Sequence, residues 1–231
     1  MRLLHFYLVI FSLEILVGCA SSNYVNPDYT YGKFSGRTLL YMPLGHIKMD
    51  TVVNNAFQDD FKDSSAILQN PDSLLSSLIY DQLKKQYIPQ LTISKFSTVD
   101  TDSLDLVKSS FNDTEIYYHP TDKYLINNGI SPDLVLYFYK PDIEHYFYYR
   151  YPSGGGMAMQ LSVNYIMWDY KSNVPVMYGK LSGMAGMGAW VPYFRKLEWE
   201  KLSENTISNL MSYSPFNGPE FQNTTQYVMP K

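Results

Sequence analysis

The chain has 231 residues, with 18 basic and 22 acidic side chains that give a formal net charge of −4 at pH 7. A mildly acidic chain lacks the basic surface that nucleic acids and anionic lipids require, so we expect no nucleic-acid partner. The 22 tyrosines and 12 phenylalanines favour a sheet-rich fold, because aromatic side chains suit a pleated, half-buried surface.

The N-terminal segment, residues 1–18, is predicted to be a secretory signal peptide. Met1 and Arg2 form a short positive end, and an apolar run from Leu3 to Val17 follows it. A run of roughly fifteen residues is too short for a membrane-spanning helix, which needs about twenty. It has the length of a signal-peptide core instead, although Glu14 is unusual within it. An uncleaved signal anchor is the alternative.

The motif Leu16-Val17-Gly18-Cys19 resembles the lipobox of bacterial lipoproteins. The resemblance implies that the peptide is cleaved before Cys19, whose sulfur is diacylated and whose new amine is acylated. The membrane would then be bound through the acyl chains, which anchor firmly when more than one is present. Ala20 resembles the sorting signal for the outer membrane, which predicts a location there, facing the periplasm. The inner membrane and the cell surface are the alternatives.

The mature chain is predicted to be a tether followed by one domain. Residues 19–36 contain turn formers without periodicity, and we interpret them as a lipidated flexible tether. Residues 37–231 are predicted to form a single α+β domain. We expect a mixed or mostly antiparallel sheet of about five strands, with two main helices packed on one face.

The first half of the domain contains one strong helix signal. Asn70 precedes Pro71, and apolar residues from Leu74 to Tyr87 then recur at three- and four-residue spacing. The weaker predictions are a strand over 37–44, a faint helical stripe over 51–68, a strand over 91–99, and an irregular excursion over 100–128 with a short helix around 104–111.

The second half is predicted to be mostly sheet. Asp133 to Tyr139 indicates a central strand, and residues 143–151 and 157–170 indicate a hairpin around the glycines of 152–156. Residues 174–182 predict a further strand, residues 183–190 a flexible apolar loop, and residues 195–211 a second helix.

The segments Ser131–Leu136 and Ile166–Asp169 resemble small α+β domains of envelope lipoproteins. These include the curli-pore lipoprotein family, the penicillin-binding-protein activator lipoproteins and the N-terminal domain of the TolB translocation protein. The resemblance covers about residues 37–212 in outline. It implies a fold and an envelope setting, and it implies no activity.

The sequence predicts no catalytic residue, no metal site and no cofactor. His46, His119 and His145 are far apart in the mature chain, and Gly154–Gly156 is followed by no Gly-Lys-Ser/Thr phosphate motif. We therefore expect a protein that is not an enzyme. The alternative is a hydrolase acting on envelope glycans through a carboxylate pair, which needs two acids flanking the scissile bond. Its candidates are Asp133, Asp142, Glu144 and Asp169.

The aromatic hairpin and the Met-rich segment after it predict a surface that binds a partner. Tyrosine and arginine are enriched at interface hot spots, and methionine gives adaptable apolar contact. Core packing of the aromatic residues is the alternative. We expect an accessory or binding role for another envelope protein or complex, or else a pore or secretion subunit that forms an oligomer through hairpin 143–170. The candidate partner-binding residues are Tyr146, Tyr148, Tyr149, Arg150, Tyr151, Met184, Met187 and Trp190.

Overall fold

The structure is a computed structural model. It describes residues 23–29, 36–42, 45–62, 64, 70–86, 91–95, 107–111, 114–118, 131–150, 154–186 and 196–215. The predicted signal peptide and Cys19 lie outside these residues.

The predicted α+β class is confirmed. Within the described ranges the chain forms three helices and a seven-stranded sheet, with two further strands paired separately. The strands are β1 (Tyr24–Val25), β2 (Arg37–Met42), β3 (Lys48–Met49), β4 (Leu91–Lys95), β5 (Val107–Phe111), β6 (Thr114–Tyr118), β7 (Leu134–Arg150), β8 (Gly154–Asp169) and β9 (Val174–Gly186). The helices are α1 (Thr51–Phe61), α2 (Pro71–Lys85) and α3 (Lys196–Tyr213).

The large sheet is mixed, with strand order β1-β9-β8-β7-β2-β4 and β3 paired to the far part of β7. β7, β8 and β9 form an antiparallel meander, which includes the predicted hairpin. β2 runs parallel to both β4 and β7. The sheet exceeds the predicted five strands because β1 and β3 have only two residues each and carry no period-two pattern.

Local capping explains where the first two helices begin. The Asn70 side chain accepts a hydrogen bond from the Ser73 N–H, and Pro71 occupies the first turn of α2, as predicted. The Asp50 side chain accepts from the Val53 N–H at 2.9 Å and caps α1 in the same way. The faint stripe predicted over 51–68 thus forms a helix at Thr51–Phe61, which makes three helices in the described ranges where two main helices were expected.

All three helices pack on one face of the sheet, which we call the helix face. Trp199 of α3 is fully buried and meets Phe57 of α1 edge-on, with ring centroids 5.2 Å apart. The same core takes alternate residues of the central strand β8, namely Met159, Leu161, Val163, Tyr165 and Met167. The predicted packing of helices on one face is thus what the structure shows.

Three local predictions are corrected. Tyr24 and Val25, within the predicted tether, pair with Tyr178 and Met177 as an edge strand, because the outer edge of β9 offers them backbone partners. Gly183–Gly186, predicted as loop, continue β9, because β8 extends far enough to pair with them. Val107–Phe111 lie within the short helix predicted around 104–111, but they form a strand that pairs with β6.

Candidate binding face of the sheet

A β-bulge in β7 creates the candidate site. The pairing of β7 with β8 shifts between Tyr139 and Asp142, so that Lys140 and Pro141 stand opposite Val163 alone. Lys140 has φ of 51°, in the left-handed region that residues other than glycine seldom adopt. Bulges of this kind redirect side chains, and they are common beside functional sites.

The bulge reverses which residues of β7 face the helices. Leu136 and Phe138 belong to the helix-face core before the bulge, and Ile143 belongs to it afterwards. Because side chains alternate along a strand, Asp142 and Glu144 point to the opposite side. We call that side, away from the helices, the far face.

The far face begins with a second apolar cluster. Its buried members are Leu40, Met42, Val135, Tyr137, Ile166, Trp168 and Tyr178. Tyr24 of β1 stacks on Tyr178 with ring centroids 4.8 Å apart. Tyr137 and Tyr178 are therefore core residues, as in the alternative that aromatic residues of this region pack in the core.

Polar residues follow that cluster in three rows across β7, β8 and β9. Residues directly opposite one another in antiparallel strands share a face, so each row is a set of neighbours. The rows are Tyr139–Asn164–Lys180, Asp142–Ser162–Ser182 and Glu144–Gln160–Met184. The far face thus changes from buried aromatic to polar at the bulge.

Six of the nine residues in these rows line an open cavity of about 310 Å³. Its walls include two lysines, two acids and two amides, namely Lys140, Lys180, Asp142, Glu144, Gln160 and Asn164. Asp142 lies 3.6 Å from the ammonium of Lys48 on the neighbouring β3. Across the described residues, the side chains of Glu144, Asn164 and Lys180 have no hydrogen bond or ion pair. The cavity can therefore offer a ligand both charges and a neutral hydrogen-bonding floor.

One of the predicted partner-binding residues lines this cavity and a second stands beside it. Tyr146 is a lining residue, and Met184, 46% exposed, pairs with the lining residue Gln160. Tyr148, Tyr149 and Arg150 belong to β7 and pair with three glycines of β8, and their side chains lie outside what the structure describes. Residues Tyr151, Met187, Trp190 and Cys19 lie outside the described ranges.

Of the four candidate carboxylates, Asp169 is structural. It is 1% exposed, and its Oδ2 accepts from the Tyr29 hydroxyl and from Arg37 Nη1, both at 2.8 Å. Its Oδ1 accepts from the N–H groups of Lys171 and Ser172 at 3.0 Å each. Burial raises the pKa of Asp169, but the bonds from Ser172, Arg37 and Tyr29 outweigh it and hold the pKa below its ordinary value.

Asp133 is structural as well. Its Oδ2 accepts from the N–H and the hydroxyl of Thr38 at 2.8 and 3.1 Å, and Lys171 pairs with its other oxygen. Burial again opposes ionisation, but these partners keep the pKa of Asp133 below its ordinary value. Asp142 and Glu144 are thus the two candidate acids that line the cavity.

His145 holds β7 against the start of α1. Its N–H and its ring Nδ1 lie 2.6 and 2.7 Å from Oδ2 of Asp50, the residue that caps α1. Burial raises the pKa of Asp50, but the bonds from Val53 and His145 lower it by more. In the described ranges no group of three or more His, Cys, Asp or Glu side chains could hold a metal ion.

Sequence reasoning missed Lys140, Gln160, Asn164 and Lys180 as site residues. The alternation of Gln160, Ser162 and Asn164 indicated only a wetter strand face, and nothing local showed which residues stood opposite them. The signal that could have found the site is Lys140-Pro141, a proline inside a strand, which is tolerated at bulges.

No family model and no curated protein matches this chain. Similar solved structures include the PelC dodecamer from Paraburkholderia phytofirmans, with 8% identity, 83% of this chain and 96% of that chain covered, and a TM-score of 0.38. A putative neuraminyllactose-binding hemagglutinin homolog from Helicobacter pylori has 11% identity, 88% and 90% coverage and a TM-score of 0.36. Lipoprotein GNA1162 from Neisseria meningitidis has 11% identity, 76% and 99% coverage and a TM-score of 0.30.

At these scores the similarities carry no argument about activity or ligand. One of these structures is a lipoprotein, and the identities are low throughout. Among the helices in the described ranges, none has the length and apolar character needed to cross a membrane.

Proposed function

We propose that this chain is a lipid-anchored accessory protein of the cell envelope that binds another envelope protein or complex through its far face and does not act as an enzyme. The observation that carries the proposal is the polar cavity between β7, β8 and β9, which Tyr146 lines and beside which the exposed Met184 stands opposite Gln160. The exposed Met184 offers an apolar contact, and the charged side chains of Glu144 and Lys180 have no partner in the described chain. Such a combination of apolar and charged groups is suited to docking.

The proposed anchor would hold this domain close to the membrane. Tyr24 already belongs to the sheet, and it follows Cys19 by five residues. Five residues span at most about 17 Å when extended. If Cys19 is acylated, the edge of the sheet formed by β1 and β9 therefore lies near the bilayer, which limits the partner to one that works at the same surface.

The anchor is tested by Cys19→Ala in the full-length chain. We expect the variant to lose incorporation of labelled fatty acid and to leave the membrane fraction, because no acyl chain would then hold it. Persistence of both acyl labelling and membrane retention would show that the lipobox interpretation is wrong.

The docking surface is tested by Met184→Lys in cells, after crosslinking and affinity capture of the full-length lipoprotein. We expect recovery of the principal crosslinked envelope protein to fall about tenfold, since a charge would replace an apolar contact. Lys201→Glu, at an exposed position of α3 on the helix side, is the matched control and should leave recovery unchanged. Equal recovery from both variants would remove the far face as the docking surface.

The glycan hydrolase retains one observation in its favour, which is that Asp142 and Glu144 line the same cavity. That function requires turnover of peptidoglycan or a glycoside by the purified chain, abolished by Glu144→Gln. A chain that is inert on these substrates supports the binding function.

A further inference from the structure

The two ends of the far-face cavity carry opposite charges. Glu144 stands in the row of Gln160, and Lys180 stands in the row of Asn164. Those rows are four positions apart on β8, a distance of about 13 Å at the usual rise of a strand. Lys140 lines the cavity beside the Lys180 end, through the bulge.

The middle of the cavity is close to neutral. The carboxylate of Asp142 lies 3.6 Å from the Lys48 ammonium, so its charge is balanced locally. The floor between the ends is Gln160, Ser162 and Asn164 on alternate positions of β8. The Gln160 amide donates to the Ser162 hydroxyl at 3.4 Å, while the Asn164 amide makes no hydrogen bond within the described chain. Amide side chains both donate and accept, as peptide groups do.

We propose that this cavity binds a short peptide with free termini, its ammonium group at Glu144 and its carboxylate at Lys180 and Lys140. Three extended residues span about 10 Å, which is comparable with the distance of about 13 Å between the two end rows. The volume of about 310 Å³ is at the small end of ligand pockets, which suits a few small residues. Tyr146 stands beside Glu144 and adds an aromatic face for a cation.

Other ligand classes fit this charge arrangement less well. A phosphate or another purely anionic ligand would meet Glu144 as well as the lysines. A neutral saccharide would use the amide floor but would leave both charged ends without partners. An apolar ligand would remove charged side chains from water without pairing them, which is costly.

This site goes beyond the proposed docking of an envelope protein and does not depend on it. Peptide binding is measured on the isolated chain, whereas docking is measured by partner capture in cells. Met184→Lys tests docking, and Asn164→Ala tests the cavity floor, so that each proposal can fail without the other.

The experiment is calorimetric titration of the full-length lipoprotein in detergent with trialanine in four forms. These are the free peptide, the N-acetylated peptide, the C-amidated peptide and the peptide blocked at both ends. We expect the free form to bind about tenfold more tightly than either singly blocked form, because each terminus forms one charge-assisted hydrogen bond.

Two variants test which charged residues bind the amine of the peptide and which bind its carboxylate. Glu144→Gln should abolish the preference for a free amine while keeping the preference for a free carboxylate. The double variant Lys140→Gln/Lys180→Gln should do the reverse. Glu200→Gln and Lys201→Gln on α3 are the matched controls, and both should bind as the unaltered chain does.

Three results would overturn the proposal. The first is failure of free trialanine to bind at millimolar concentration, and the second is equal affinity for the free and doubly blocked peptides. The third is that Glu144→Gln abolishes the preference for a free carboxylate, or that the double lysine variant abolishes the preference for a free amine. Binding of N-acetylglucosamine that Asn164→Ala removes, without peptide binding, would assign the cavity to a saccharide instead.

Discussion

The two faces of the sheet are built from the same strands but are organised differently. On the helix face, Met159, Leu161, Val163, Tyr165 and Met167 of β8 are all buried in a single core. On the far face, the intervening residues change from Ile166 and Trp168, which are buried, to Asn164, Ser162 and Gln160, which line the cavity. The helix face is thus one continuous core, and the far face is divided into an apolar cluster and a polar cavity.

This difference indicates which face contributes most to the free energy of unfolding. The helix face depends on close packing against three helices, so a small change of volume there should be costly. The polar part of the far face has several side chains without partners in the described ranges, so the fold should tolerate changes there. Single substitutions on each face therefore test this difference directly.

The largest effect is expected from Gly183→Ala on β9. A Cβ at Gly183 would lie 2.0 Å from Oγ1 of Thr206, 2.6 Å from the carbonyl oxygen of Leu202 and 2.7 Å from the Thr206 nitrogen. Two of these atoms belong to the backbone of α3 and cannot move without shifting the helix. We expect a loss of about 3 kcal/mol in the free energy of unfolding, measured by urea titration.

A double variant separates the two causes of that loss. Adding Thr206→Ala to Gly183→Ala removes the nearest atom but leaves both backbone contacts. Recovery should therefore be partial. Full recovery would mean that only the threonine side chain limits the approach of α3, and an unchanged stability in the single variant would mean that the helix is not closely packed at this point.

The second effect concerns the turn between β8 and β9, where both faces end. Asp169→Asn removes a buried charge that accepts from Arg37 and Tyr29, and it leaves the guanidinium without its carboxylate. We expect a loss of about 2 kcal/mol at pH 7. Lys171→Gln, at an exposed position of the same turn, should cost clearly less.

The difference in unfolding free energy between the unaltered chain and Asp169→Asn should depend on pH, because the pKa of Asp169 is lowered in the folded state. A carboxyl whose pKa is lower in the folded state contributes stability above its ordinary value of 3.8, and it loses that stability as the pH falls through the folded-state value. The difference between Asp169→Asn and the unaltered chain should therefore be complete at pH 7 and shrink below about pH 3.8. A constant difference down to pH 2 would contradict the assignment.

The third effect has the opposite sign and lies on the helix face. The Tyr165 side chain is fully buried, and its hydroxyl has no hydrogen-bond partner in the described part of the chain. Tyr165→Phe removes that hydroxyl and keeps the ring, so we expect the free energy of unfolding to rise by about 1 kcal/mol. A decrease, seen in the same urea titrations, would indicate that the hydroxyl is hydrogen-bonded in solution.

The sequence predicted the helix face well because its signals are local. Asn70-Pro71 and the apolar spacing after it defined α2, and period-two alternation defined β8. It predicted the far face poorly because that face depends on register between distant strands. Nothing in the sequence places Lys180 beside Asn164.

The bulge in β7 shows, within one strand, that the sequence pattern does not reveal which face a residue occupies. Alternation read straight through Lys140 and Pro141 would put Asp142 and Glu144 on the helix face, and the inserted residue puts them in the cavity. Short edge strands such as β1 were missed because two residues are too few to show a period, and pairing with β9 decides their structure.

The smallest effect is expected from Asn164→Ala, which tests the polar part of the far face. Within the described residues the Asn164 amide makes no hydrogen bond, so its removal should leave none of them with an unpaired polar group. The free energy of unfolding should therefore change by less than about 0.5 kcal/mol. If the loss instead approached that of Gly183→Ala, Asn164 would be structural, the two faces would not differ as described, and a free floor for a ligand would not exist. A surface that serves binding rather than folding should show this pattern, in which Asn164→Ala leaves the free energy of unfolding almost unchanged while Gly183→Ala on the helix face lowers it.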